Sequence, residues 1–136
     1  MKKRIALNLQ CNRIGPQEAR NLANVLPTST ILATLNINNN QIRATGTQFL
    51  SDALGINTTL TSLNIWDNQI GDQGAQYLSD PLRTNETLNT LHLETNYIND
   101  EGVKDLANAL RINMVILIHF SDISYISKYL LYYKET

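Results

Sequence analysis

The sequence predicts an α/β solenoid: a right-handed coil of strand–turn–helix units, with a parallel sheet on the concave side and helices on the convex side. Three observations predict it. Asn12, Asn40, Asn68 and Asn96 fall 28 residues apart, and two dozen apolar positions keep the same spacing. Within each interval the apolar period changes from the alternation of a strand to the i, i+3, i+7 spacing of a helix. A single such unit cannot bury both of its apolar faces, whereas stacked units can.

The strand comes first in each unit. Leu7, Leu35, Leu63 and Leu91 share one slot, and Leu9, Ile37, Ile65 and Leu93 share the slot two residues on, so both point to the same side of a strand. The turn follows, marked by the asparagines and by Ile14, Ile42, Ile70 and Ile98. The helix is carried by Leu22, Leu50, Leu78 and Leu106, and by Leu26, Leu54, Leu82 and Leu110. Gly46, Gly74 and Gly102 occupy one helical slot, which Glu18 fills in the first copy. Asn57, Asn85 and Asn113 recur before the strands, with Ser29 in the first copy, and are expected to close the helix-to-strand loop. Asn57 and Asn85 also head glycosylation-type triplets, which read as by-products of the repeat. Residues 1–115 thus divide into units over about 4–31, 32–59, 60–87 and 88–115.

The copies Leu32-Ala-Thr-Leu-Asn-Ile-Asn-Asn-Asn40, Leu60-Thr-Ser-Leu-Asn-Ile-Trp-Asp-Asn68 and Leu88-Asn-Thr-Leu-His-Leu-Glu-Thr-Asn96 resemble the leucine-rich-repeat family. Their length and full helix are similar to the ribonuclease-inhibitor type. The resemblance runs over about residues 4–115. It implies a binding module, and it leaves the partner open.

The ladder Asn12, Asn40, Asn68, Asn96 is expected to be structural. An amide offers two donors and an acceptor to backbone groups that the turn leaves unpaired. Function is expected at positions the repeat does not fix. With Leu63 and Ile65 inward, Asn64 and Trp66 face out over the sheet. Their columns hold Asn8, Asn36, Asn64 and His92, and Gln10, Asn38, Trp66 and Glu94, with Cys11, Asn39, Asp67 and Thr95 alongside. The expected contact surface for a protein or peptide is therefore Trp66, Asp67, Asn64, His92, Glu94, Asn36 and Asn38. Trp66 leads it, because it is the one tryptophan and Trp is enriched at interface hot spots.

His92 and Glu94 suggest acid–base or metal chemistry only weakly, being i, i+2 neighbours without a third ligand at metal spacing. No catalytic residue, metal site or cofactor is expected, because phosphate-loop, zinc-protease and nucleophile-elbow motifs are all missing. Leucine-rich-repeat relatives include activators of small GTPases, an alternative function. Arg13, Arg43 and Arg83 lie in different slots and single out no residue for it. A truncated repeat remnant with no dedicated partner is the other alternative.

Net charge is −1, which gives no signature for nucleic acid. Charge is uneven: residues 1–43 carry a net +5 and residues 44–105 a net −7. Met114–Phe120 is too short to span a membrane, so neither nucleic acid nor membrane is an expected partner. The apolar run after Lys2–Arg4 is broken by Asn8 and Gln10 and is not read as a signal peptide. One cysteine, Cys11, forbids an internal disulfide and fits the cytoplasm, the alternative being secretion into a host cell as a bacterial effector.

No cap precedes the first strand, so the chain reads as a piece of a longer array or as self-associating end to end through that edge. At the other end Asn113 and Ile116 keep phase, but the next slots hold His119, Ser121 and Ser124 instead of Leu, Leu and Asn. Residues 116–136 are expected to form a divergent fifth strand and a capping helix, with Ile123, Ile126, Leu130 and Tyr133 at helical spacing; an unselected tail is the other reading.

Overall fold

The computed structural model describes residues 3–121. Strands and helices alternate: β1 (Ile5–Asn8), α1 (Pro16–Val25), β2 (Leu32–Asn36), α2 (Arg43–Leu54), β3 (Ser62–Asn64), α3 (Gly71–Thr84), β4 (Thr90–His92), α4 (Asp100–Ile112) and β5 (Leu117–His119), with a 3-10 turn at Leu26–Thr28. All five strands are parallel in one sheet, ordered β1-β2-β3-β4-β5. Each helix packs on the next along the other side of the coil. This is an α/β leucine-rich-repeat solenoid. The expected capping helix beyond Ser121 lies outside the described residues.

The core is a stack of identical layers. Leu7, Leu35, Leu63 and Leu91 stand opposite one another across β1–β4. Leu35, Leu63 and Leu91 are fully buried, as are Ile37, Ile65, Leu93, Leu50, Leu78 and Leu106. β1 differs. It is bonded to β2 alone, and all four of its residues are exposed, Leu7 by 37%. The first unit therefore enters the core through its turn and helix, with Ile14, Ala19, Ala23 and Leu26 buried, and Leu7 is not the core residue its slot predicts.

The helical glycine slot sets the spacing of the helices. A Cβ on Gly46 would come within 3.1 Å of Ala19 Cβ and 3.2 Å of the Pro16 backbone, both in α1. A Cβ on Gly102 would come within 3.0 Å of Ala75 Cβ in α3. Glu18, in the same slot of α1, is exposed. Its carboxylate accepts a hydrogen bond from Gly15 N–H at 2.9 Å, capping the helix that Pro16 opens.

The last strand departs from the 28-residue phase. Leu91 pairs with Ile118 and His92 with His119, a spacing of 27. Counting by 28 puts His119 in the inward leucine slot. The chain instead turns Ile116 and Ile118 inward, where both are buried, and leaves Leu117 60% exposed. A one-residue shift exchanges the two faces of a strand. An imidazole in the leucine layer would lose its water without gaining partners. Among the described residues no helix is long and apolar enough to cross a membrane.

Candidate functional site

The strands end in a turn whose backbone the asparagine ladder completes. Asn40 donates to Leu9 O, Ile37 O and Asn38 O and accepts from Asn12 N–H and Ile14 N–H. Asn68 donates to Ile37 O, Ile65 O and Trp66 O, and accepts from Ile42 N–H. Asn96 donates to Ile65 O, Leu93 O and Glu94 O, and accepts from Asn68 N–H and Ile70 N–H. Each amide therefore ties its own turn to the preceding unit. Asn12 is exposed and donates only to Gln10 O.

At the opposite edge Asn57 and Asn85 do similar work. Asn57 donates to Leu26 O and accepts from Thr59 N–H and Leu60 N–H. Asn85 repeats this with Leu54 O, Thr87 N–H and Leu88 N–H. Both are buried, so neither presents a glycosylation acceptor on the folded surface.

The turn after each strand also needs left-handed backbone. Cys11, Asn39, Asp67 and Thr95 all have φ between 51° and 58°, although only Asn and Asp among them tolerate that region readily. No glycine marks the slot, so spacing alone does not reveal it.

On the outer face of the sheet, Asn8, Asn36, Asn64, His92 and His119 form one row across the strands. Asn36 and Asn64 are half-buried, and their side-chain oxygens accept from Asn38 N–H and Trp66 N–H two residues on. These two expected contact residues thus also hold the strand end in shape. Asn38 is only 8% exposed and has little surface to offer a partner.

Trp66 is 42% exposed, and its indole N–H donates to Thr95 Oγ1 at 3.0 Å. The ring is thereby oriented toward the following unit. Asn64, Trp66, His92 and Glu94 line one open depression of about 360 Å³. Asp67 is not part of it. It lines a second hollow of about 300 Å³ on the turn side, with Cys11, Arg13, Asn39 and Gln69. The expected surface is therefore split: four residues converge, Asp67 lies round the turn, and Asn36 and Asn38 sit one strand away.

His119 joins the row in a way the repeat did not suggest. The His92 and His119 rings stack, with centroids 4.2 Å apart and planes 14° from parallel. His92 Nδ1 lies 3.2 Å from Glu94 Oε1. The ligand atoms of His92, Glu94 and His119 all fall within 4.8 Å of one another, which corrects the reading that the His92–Glu94 pair lacks a third ligand.

The arginines do not converge on this depression. Arg13 borders the turn-side hollow, Arg43 opens α2 and Arg83 stands in the last turn of α3.

A leucine-rich-repeat family model matches residues 57–79 and 84–107, essentially the third and fourth units. No curated protein matches the sequence. Among solved structures, the leiomodin-1 actin-binding site 2 superposes with a TM-score of 0.79 at 18% identity, over 98% of this chain and 83% of that one. The C-terminal domain of Caenorhabditis elegans tropomodulin superposes with a TM-score of 0.75 at 15% identity, over 97% of this chain and 85% of that one. At these identities the likeness is one of fold.

Proposed function

We propose that this leucine-rich-repeat chain is a protein-interaction module that takes a protein or peptide on the concave face of its sheet, anchored at Trp66. The observation that carries the reading is an exposed tryptophan on an otherwise polar strand face, where the fold needs no apolar side chain. Its indole is held by Thr95, so little side-chain freedom remains to be lost on binding. Asn64, His92 and Glu94 supply polar groups around it. Five strands at ~4.8 Å spacing span ~19 Å, and a standard interface takes ~800 Å² from each partner. The scale favours a peptide or one edge of a protein.

The 28-residue unit with a helix in every copy supports the ribonuclease-inhibitor-like subtype and the unit boundaries near 32, 60 and 88. A cytoplasmic location fits a chain with one cysteine. Because one structural neighbour is named for actin binding, actin is the first purified candidate to test. The deciding experiment compares wild type with Trp66→Ala in direct binding, by actin co-sedimentation and by quantitative capture of other partners. A hot-spot tryptophan is worth ~2 kcal/mol or more, so affinity falls roughly 30-fold. A Trp66→Ala protein that keeps every partner at wild-type affinity overturns the site.

A further inference from the structure

We propose that His92, Glu94 and His119 form a binding site for a late first-row divalent cation, Zn²⁺ by preference, on the face of the last two strands. The chain has two histidines in all, and the sheet register sets them side by side. Glu94 stands two residues after His92, on the same face. One carboxylate oxygen already contacts His92 Nδ1. The other, Oε2, is shielded from solvent and has no hydrogen-bond partner among the described residues, and an unsatisfied buried acceptor is unfavourable. A cation in the cluster would satisfy it.

The donor set selects the metal class. Two imidazoles and one carboxylate match the three-ligand zinc sites that keep further positions open. Two nitrogen donors disfavour Mg²⁺ and Ca²⁺, which take oxygen ligands. In a tetrahedral site with bonds of ~2.0–2.2 Å, ligand atoms lie about 3.4 Å apart. The observed separations, up to 4.8 Å, close to that by side-chain rotation on a surface where His92 and Glu94 are 33% and 28% exposed. The open coordination position would face the depression that Trp66 lines, and the metal would fasten β5 to β4. This site stands whether or not Trp66 anchors a protein partner.

The test uses the untagged full chain, titrated with Zn²⁺ by calorimetry and with Co²⁺ by visible absorption, alongside His92→Ala, His119→Ala and Glu94→Gln. One equivalent should bind, unaffected by millimolar Mg²⁺ or Ca²⁺. Each histidine variant should weaken binding at least 10-fold, and Glu94→Gln should weaken it several-fold. In imidazole ¹H–¹⁵N spectra of wild type with Zn²⁺, both histidines should shift together and saturate at one equivalent. Circular dichroism checks that the variants fold. Should His119→Ala misfold, the paired imidazole shifts and Glu94→Gln still decide the matter. Absence of saturation below 1 mM, an undiminished affinity in a folded His119→Ala protein, or a shift of only one imidazole overturns the proposal.

Discussion

Replacing Asn68 with alanine removes an amide whose two hydrogens are shared among Ile37 O, Ile65 O and Trp66 O at 2.9, 3.1 and 3.1 Å. None of those carbonyls is stranded by the change. Ile37 O also accepts from Asn40 and Ile65 O from Asn96, each at 2.8 Å, and Trp66 O accepts from Asn39 N–H at 2.9 Å. The one donor that loses its side-chain acceptor is Ile42 N–H, at a long 3.4 Å. Two amide hydrogens at ~1 kcal/mol each, with ~1 kcal/mol for a weakened buried N–H, give a loss of ~3 kcal/mol. That is a large part of the ~5–15 kcal/mol that holds most domains together. Urea denaturation followed by far-ultraviolet circular dichroism measures it, and a loss below ~1 kcal/mol refutes the ladder's role. Asn68→Asp sharpens the test, because it aims a carboxylate oxygen at the same carbonyls. That environment raises the folded-state pKa above the ordinary ~3.9. The folded state then holds the proton more tightly, so stability is greatest below the unfolded value and declines as pH rises from about 4 toward the folded pKa. A stability profile for Asn68→Asp that parallels wild type contradicts this account.

Three further outcomes follow from the packing. Gly46→Ala should destabilise by ~1–3 kcal/mol through overpacking against α1, although alanine is the better helix former by ~1 kcal/mol; a thermal melt at or above the wild-type midpoint argues against close helix stacking. Ile118→Ala should cost ~2–4 kcal/mol while Leu117→Ala stays within ~0.5 kcal/mol, and the reverse order in denaturant titrations would place β5 back in the 28-residue phase. Asp72 accepts from Asn99 N–H at 2.7 Å and Gly102 N–H at 3.2 Å, capping α4 from the preceding unit, so Asp72→Ala should lose ~1 kcal/mol; equal melts for variant and wild type remove it as a cap.

The sequence carries the solenoid openly because its periodicity is redundant: a strand, a turn and a helix each repeat four times in register. The core follows from the same slots. The sheet face was legible only in part. Trp66, His92 and Glu94 were recognisable because they break their columns. Asn36 and Asn64 look like spare polar residues in sequence, yet their side chains bond backbone two positions on, which spacing alone does not reveal. Asp67 borders a different hollow from Trp66, its neighbour in sequence, because left-handed backbone at that slot turns the chain away from the strand. His119 was missed because counting by 28 hides a one-residue shortening. A signal was present: Ile116 and Ile118 alternate as a strand face does, and His119 falls on the other face of that pattern.

The ladder also bears on how the molecule comes apart. The amides of Asn40, Asn68 and Asn96 each belong to two neighbouring units at once, so one unit's turn is complete only when the next has docked. The smallest cooperative block is then a pair of repeats, because solenoid stability is a sum of intrinsic repeat terms and nearest-neighbour interfaces. Native-state hydrogen exchange should report this as a gradient, slowest at Leu63 and Leu91 and fastest along β1, which leans on one neighbour alone. Opening of the first unit can then proceed without releasing Trp66, whose strand is braced on both sides.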